Sequence, residues 1–144
     1  MSPSRLVLQA RRPSEGFLAI GRDLVPAVET LAAGPNVMAL SILAGHATEC
    51  LLKAMLSHAG MTETALAKPS FGHNLDALWR AASAKTGRVP EQIPDWVKHL
   101  NQVWAPPFPL RYPTKWHGLV LPVIVDMRAG LRNLLVIAET DVHT

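Results

Sequence analysis

Residues 36–60 read NVMALSILAGHATECLLKAMLSHAG, and this stretch decides the fold. Asn36 suits an N-cap and Gly60 a stop, with an apolar period running between them to about His58. Leu40, Leu43, Ala47, Leu51 and Met55 form one stripe at helical spacing, and Ile42, Leu52 and Leu56 widen it. A helix apolar over so much of its circumference belongs in the centre of a bundle.

The flanks supply the helices that such a centre requires. Upstream, Ser14 is read as the N-cap of a helix carrying Phe17, Leu18, Leu24, Val28 and Leu31, stopped by Gly34-Pro35. Pro26 lies inside that pattern and is expected to kink or divide it, because proline removes a helical donor. Residues 1–13 hold two prolines and no helical period, so they read as an extended arm or a short strand. Downstream, a polar connection through Pro69 and Gly72 leads to a helix capped by Asn74 and ended by Gly87. Its Leu75, Leu78, Trp79 and Ala82 share one face. Pro94 opens a fourth helix with Val97, Leu100, Val103 and Trp104 on its apolar side. Residues 105–113, with four prolines, cannot be helical. A last helix is expected to start near Leu119 to Pro122, its core face made by Val120, Ile124, Met127, Leu131, Leu134, Leu135 and Ala138. No segment alternates as a strand would. The expected fold is all-α: a compact bundle of four to five helices over residues 14–144, one domain, preceded by the arm at 1–13.

Composition bounds the function classes. The chain has 144 residues, 49% hydrophobic and 17% charged, which is a globular balance. A chain of this size buries roughly 70% of its unfolded surface and needs no staples. Cys50 is the only cysteine, so no intrachain disulfide can form, and its apolar setting reads as a buried thiol. Leu6-Val7-Leu8 is too short for a secretory signal. His46 and Glu49 interrupt one apolar segment, and Asp126 and Arg128 another, so neither is expected to span a membrane. The expected location is the cytoplasm. The net charge of +3 and a pI near 9.4 permit contact with nucleic acid without requiring it. The cations are spread: Arg5, Arg11 and Arg12 early, Arg111 and Lys115 in the late loop, Arg128 and Arg132 near the end.

Three polar residues cross the central helix on one face: His46, Glu49 and Lys53. Glu49 precedes Lys53 by one turn, the favourable order for an ion pair. In so apolar a helix the pair is expected to be partly buried and to need further partners, for which His73 and the Arg111-Tyr112 pair are candidates. The cluster serves either to orient helices or to line a pocket for a phosphate or a base. A metal is not expected. His46 and Glu49 can reach one ion from adjacent turns, but a bundle di-metal site needs Glu-x-x-His on two helices with further glutamates. No Cys–His ligand set is present, and no cofactor is expected.

The proline-rich loop mixes cations with flat rings: Phe108, Arg111, Tyr112, Lys115, Trp116 and His117. Single-stranded nucleic acid is held by that mixture, cations taking phosphates and rings stacking bases. The alternative is a strap that plugs the core with Phe108 and Trp116.

Taken together, Ala47-Thr-Glu49-Cys-Leu-Leu-Lys53, Gly72-His73-Asn-Leu75 and Arg111-Tyr112-Pro113 ahead of a closing amphipathic helix resemble HEPN-domain proteins. The resemblance is to the branch with Ala-x-Glu-x-x-Leu-Lys, Gly-His-x-Leu and Arg-Tyr-Pro blocks, and it covers roughly residues 36–140. It implies a bundle of four or more helices, frequent homodimers and roles near RNA or nucleotides. It also implies toxin–antitoxin or phage-defence settings, with a cognate antitoxin or a nucleotidyltransferase as partner. Ribonuclease members share an Arg followed by a His at the start of the last helix, and Arg111 with His117 has that spacing here. Under that reading His117 is the general acid–base and Arg111 holds the scissile phosphate, without a metal. Tyr112 stands where those members usually carry a polar residue, and Pro113 and Gly118 interrupt the helix the pair needs. In the Arg-Tyr-Pro branch the resemblance offers Arg111 a second role, bridging to Glu49.

Three functions follow. The preferred one is a non-catalytic HEPN-like module that binds RNA, a nucleotide or a partner protein, with Glu49, Lys53, His73, Arg111 and Tyr112 around one cluster. In it Arg111 is the first anion binder, Lys53 the second, Tyr112 a stacking or hydrogen-bonding ring, and Glu49 and His73 position the others. The alternatives are a metal-independent endoribonuclease using Arg111 and His117, and a structural or antitoxin-partner subunit without a ligand.

Overall fold

A computed structural model describes residues 5–113 and 118–144, and among these the chain is all-helical, with six helices and no strand. They are α1 (Pro13–Ala32), α2 (Val37–His58), α3 (Glu63–Leu66), α4 (Leu75–Thr86), α5 (Asp95–Trp104) and α6 (Ile124–Val142). Five are bundle helices, and α3 is a single turn inside the polar connection, where no helical period is visible.

α2 is the axis of the bundle and touches α1, α4, α5 and α6. From Ala47 to Leu56 every residue on it is buried, the charged Glu49 and Lys53 included. By length and composition α2 would also suit a membrane, despite His46 and Glu49, but 67% of its apolar window is buried by the other helices. That burial is what a central core helix requires. Leu18, Val25 and Val28 of α1, Leu75, Leu78 and Trp79 of α4, Val97 and Leu100 of α5, and Met127, Leu131 and Leu134 of α6 close around it.

Close approach depends on missing side chains. A Cβ on Gly21 would lie 2.5 Å from the Leu51 side chain, so α1 lies against α2 at that point. Gly130 of α6 likewise meets the Trp96 ring, which leaves no room for a methyl group.

Local signals set some ends and not others. Asn74 caps α4, its side chain accepting from the Ala77 N–H at 3.2 Å, and Gly87 ends that helix with φ of 63°. Asn36 occupies the N-cap of α2 but makes no side-chain cap bond. α1 begins at Pro13, not after Ser14: proline takes the first helical position and Ser14 is buried within the first turn. The expected division at Pro26 does not occur, and α1 runs through it. Pro26 faces solvent, where water can serve the carbonyl one turn earlier that loses its donor. α6 starts at Ile124, later than expected, because the residue before Pro122 is driven from helical geometry and Val123 is still extended. Val120 therefore lies outside the helix and is exposed, not in the core. Residues 5–12 carry no strand, and Leu6, Val7 and Leu8 lie open to solvent.

Candidate functional site

The polar residues of α2 meet the rest of the molecule at a single carboxylate. Glu49 is 5% exposed and Lys53 8%, so both charges have left water. One turn apart, they pair at 3.2 Å through Glu49 Oε2. The other oxygen, Oε1, accepts from His73 Nδ1 at 2.6 Å and from the Trp104 indole N–H at 3.1 Å. A buried carboxylate costs several kcal/mol in desolvation, and three charge-assisted partners are what offset it.

Three elements deliver those partners. α5 carries Trp104 at its last turn, and the ring lies against α2 because residue 45 is glycine: a Cβ there would stand 2.5 Å from the indole. The turn before α4 carries His73, one residue ahead of the Asn74 cap. The imidazole meets Trp104 edge-on with ring centroids 6.0 Å apart. It meets Phe108 in the same manner at 5.6 Å. Phe108 belongs to the turn that follows α5, and its φ of 58° places a non-glycine residue in the sparsely populated left-handed region. The Arg111 guanidinium lies 4.7 Å over the Phe108 ring, within cation–π range.

The arrangement is therefore a relay from the core to the surface: Lys53, Glu49, His73, Phe108, Arg111. With Nδ1 committed to the carboxylate, His73 keeps its Nε2, which has no hydrogen-bond partner among the described residues. The His73 side chain is 40% exposed and lines a cleft of about 560 Å³. Asn74, Asn101, Gln102, Pro106 and Phe108 form much of the remaining wall. Neither Glu49 nor Lys53 reaches that wall. Lys53 commits its ammonium to Glu49 inside the core, away from the cleft wall.

Arg111 reaches the cluster through Phe108; the Glu49 oxygens are taken by Lys53, His73 and Trp104, and no Arg111–Glu49 bridge forms. Tyr112 does not join it: the side chain is largely exposed, and only its backbone N–H is tied in, to the Phe108 carbonyl. Lys115, Trp116 and His117, and with them the expected Arg111–His117 pairing and Trp116 plug, lie outside the described residues. Among the described residues no group of three or more His, Cys, Asp or Glu side chains is placed to hold a metal ion.

Sequence reasoning placed Trp104 in the core and missed that its N–H serves Glu49. It also passed over Asn101, whose only signal was a polar residue beside the apolar face of α5. Cys50, adjacent to Glu49, is no nucleophile: burial pushes its thiol up to about 12, with the Glu49 charge adding to that and Lys53 opposing it. Its sulfur sits 3.9 Å from His46 Nε2.

Comparisons of the chain with protein-family models, with curated proteins and with solved structures found no match. Its chemistry is therefore read from the cleft itself.

Proposed function

We propose that the protein is a non-catalytic, HEPN-like module that binds single-stranded RNA or a nucleotide at the cleft beside His73. One observation carries this reading: the exposed Arg111 guanidinium lies over Phe108, and Phe108 packs against an imidazole fixed in the cleft wall. A cation beside a partly exposed ring is the pairing that takes a phosphate and an adjacent base. The left-handed backbone at Phe108 supports it, since strain of that kind collects where a side chain must be aimed. The ordering of roles begins with Arg111 on phosphate, followed by Phe108 and His73 at the base.

Fluorescence anisotropy of a labelled single-stranded RNA across a salt series tests the reading. Affinity is expected to fall linearly on a log–log plot, because each neutralised phosphate releases counterions. Arg111→Ala should weaken binding and reduce the slope by about 0.7, the increment for one phosphate contact on a single strand. Affinity that ignores both salt and Arg111 would remove the proposal.

A further inference from the structure

The arm ahead of α1 takes no part in the cleft, and its apolar side chains lie open. Leu6, Val7 and Leu8 are each at least 70% exposed. The arm is held where it turns back on the first turn of α1. There the Arg11 N–H donates to Glu15 Oε2 at 3.1 Å, and Ala10 lies 3.5 Å from where a Cβ on Gly16 would stand. Beyond that point, the backbone groups of residues 6–9 make no hydrogen bond among the described residues.

A second open apolar surface lies where the chain enters α6. Val120, Val123 and Val125 are each at least 59% exposed. Val125 and Ala129 also line a groove of about 420 Å³ with Glu29, Arg128 and Arg132. Open apolar surface on the scale of a few hundred Å² marks an interaction site. The arm cannot cover this one within its own chain. α1 and α6 run antiparallel, since Arg22 pairs with Glu139 and Glu29 with Arg132. From the Arg22–Glu139 pair, Gly16 lies six residues toward one end of the bundle and Val125 fourteen toward the other. At the helical rise the two stand roughly 30 Å apart along the axis. From Ala10 back to Leu6 the chain reaches at most about 14 Å.

We propose that two copies of this chain exchange arms, Leu6, Val7 and Leu8 of each docking at the start of α6 of the other. A two-fold axis closes both contacts, each copy giving an arm and receiving one. The area meets what a dimer needs. Burying three such side chains removes roughly 300 Å² of apolar surface from water. With the surface that each arm covers, two contacts bury about 1,200 Å², the lower edge for a specific interface. Charge agrees as well. Arg5 and Arg11 of the arm have no ion-pair partner among the described residues, and neither has Asp126 in the first turn of α6. Arg128 opposes them from the groove, so the arm's cations belong on the Asp126 side. The exchange is independent of what the cleft binds.

Sedimentation velocity of the full chain across the micromolar range tests this, beside Leu6→Asp/Leu8→Asp on the arm and Val125→Asp on the receiving surface. All three positions are exposed, and aspartate suits the first turn of a helix, so both variants should keep the parental helical signal in circular dichroism. The parent should dimerise with a micromolar Kd. Each variant should weaken that by at least about tenfold, because it sets a carboxylate against apolar surface. A short bismaleimide added to a mixture of Leu8→Cys and Val125→Cys should join one protein to the other, Cys50 being buried. A parent monomeric throughout, a dimer indifferent to either variant, or a dimer without the Leu8-to-Val125 link would overturn the exchange.

Discussion

Glu49→Ala is expected to lower the unfolding free energy by about 3–5 kcal/mol, the usual cost of removing one partner from a buried charge pair. The size follows from what is left behind. Lys53 is 8% exposed and would be left in the core without its counterion. Trp104 would lose the acceptor of its indole N–H, and His73 the group that fixes its ring. Urea denaturation measures the loss as a shift of midpoint at constant m. A second variant separates the charge from the packing. In Glu49→Ala/Lys53→Met no stranded charge remains, so most of the loss should be recovered, as apolar replacements of buried pairs often are nearly neutral. A double variant no more stable than Glu49→Ala would show that packing, not the stranded charge, sets the effect.

Gly45→Ala should destabilise even though it improves helix propensity by about 1 kcal/mol. The new methyl would stand 2.5 Å from Cδ2 of Trp104, and two further ring atoms lie almost as near. A rigid indole wedged between α2 and α5 cannot rotate aside as a flexible side chain would. Overpacking of this kind costs typically about 1–3 kcal/mol beyond any gain, so the net change is unfavourable. The displaced ring also withdraws its N–H from Glu49, so RNA affinity should fall together with stability. A Gly45→Ala protein with parental midpoint and parental affinity would contradict the close approach.

The helices that sequence reading placed best are those whose signals are local. α2 announces itself because its apolar period continues around the cylinder, and α4 because Asn74 and Gly87 punctuate it. The misreadings arose where tertiary contact, or a second local rule, outweighed the first. Pro26 leaves α1 whole because it sits on the wet side of a helix whose other face is held by α2. Val120 looked like the first core residue of α6, yet Pro122 keeps that turn from forming. The site divides in the same way. Glu49–Lys53 was legible as a one-turn pair, and His73 as its partner. Trp104 was not, because an indole buried for packing and an indole buried to donate have the same periodicity. Nor was Asn101, whose part in fixing Asn74 depends on a contact between α5 and the start of α4 that spacing cannot reveal.

The central claim is that His73, fixed by Glu49, presents its Nε2 to a bound RNA. Side-chain ¹⁵N NMR of the histidines during titration with oligo(rU) tests it most directly. The account predicts that the His73 Nε2 resonance shifts on RNA addition. His143, whose ring is tied to the Glu139 carbonyl at the end of α6, should stay unchanged. RNA that binds while the His73 resonances stay fixed would place the site elsewhere on the bundle and contradict the account.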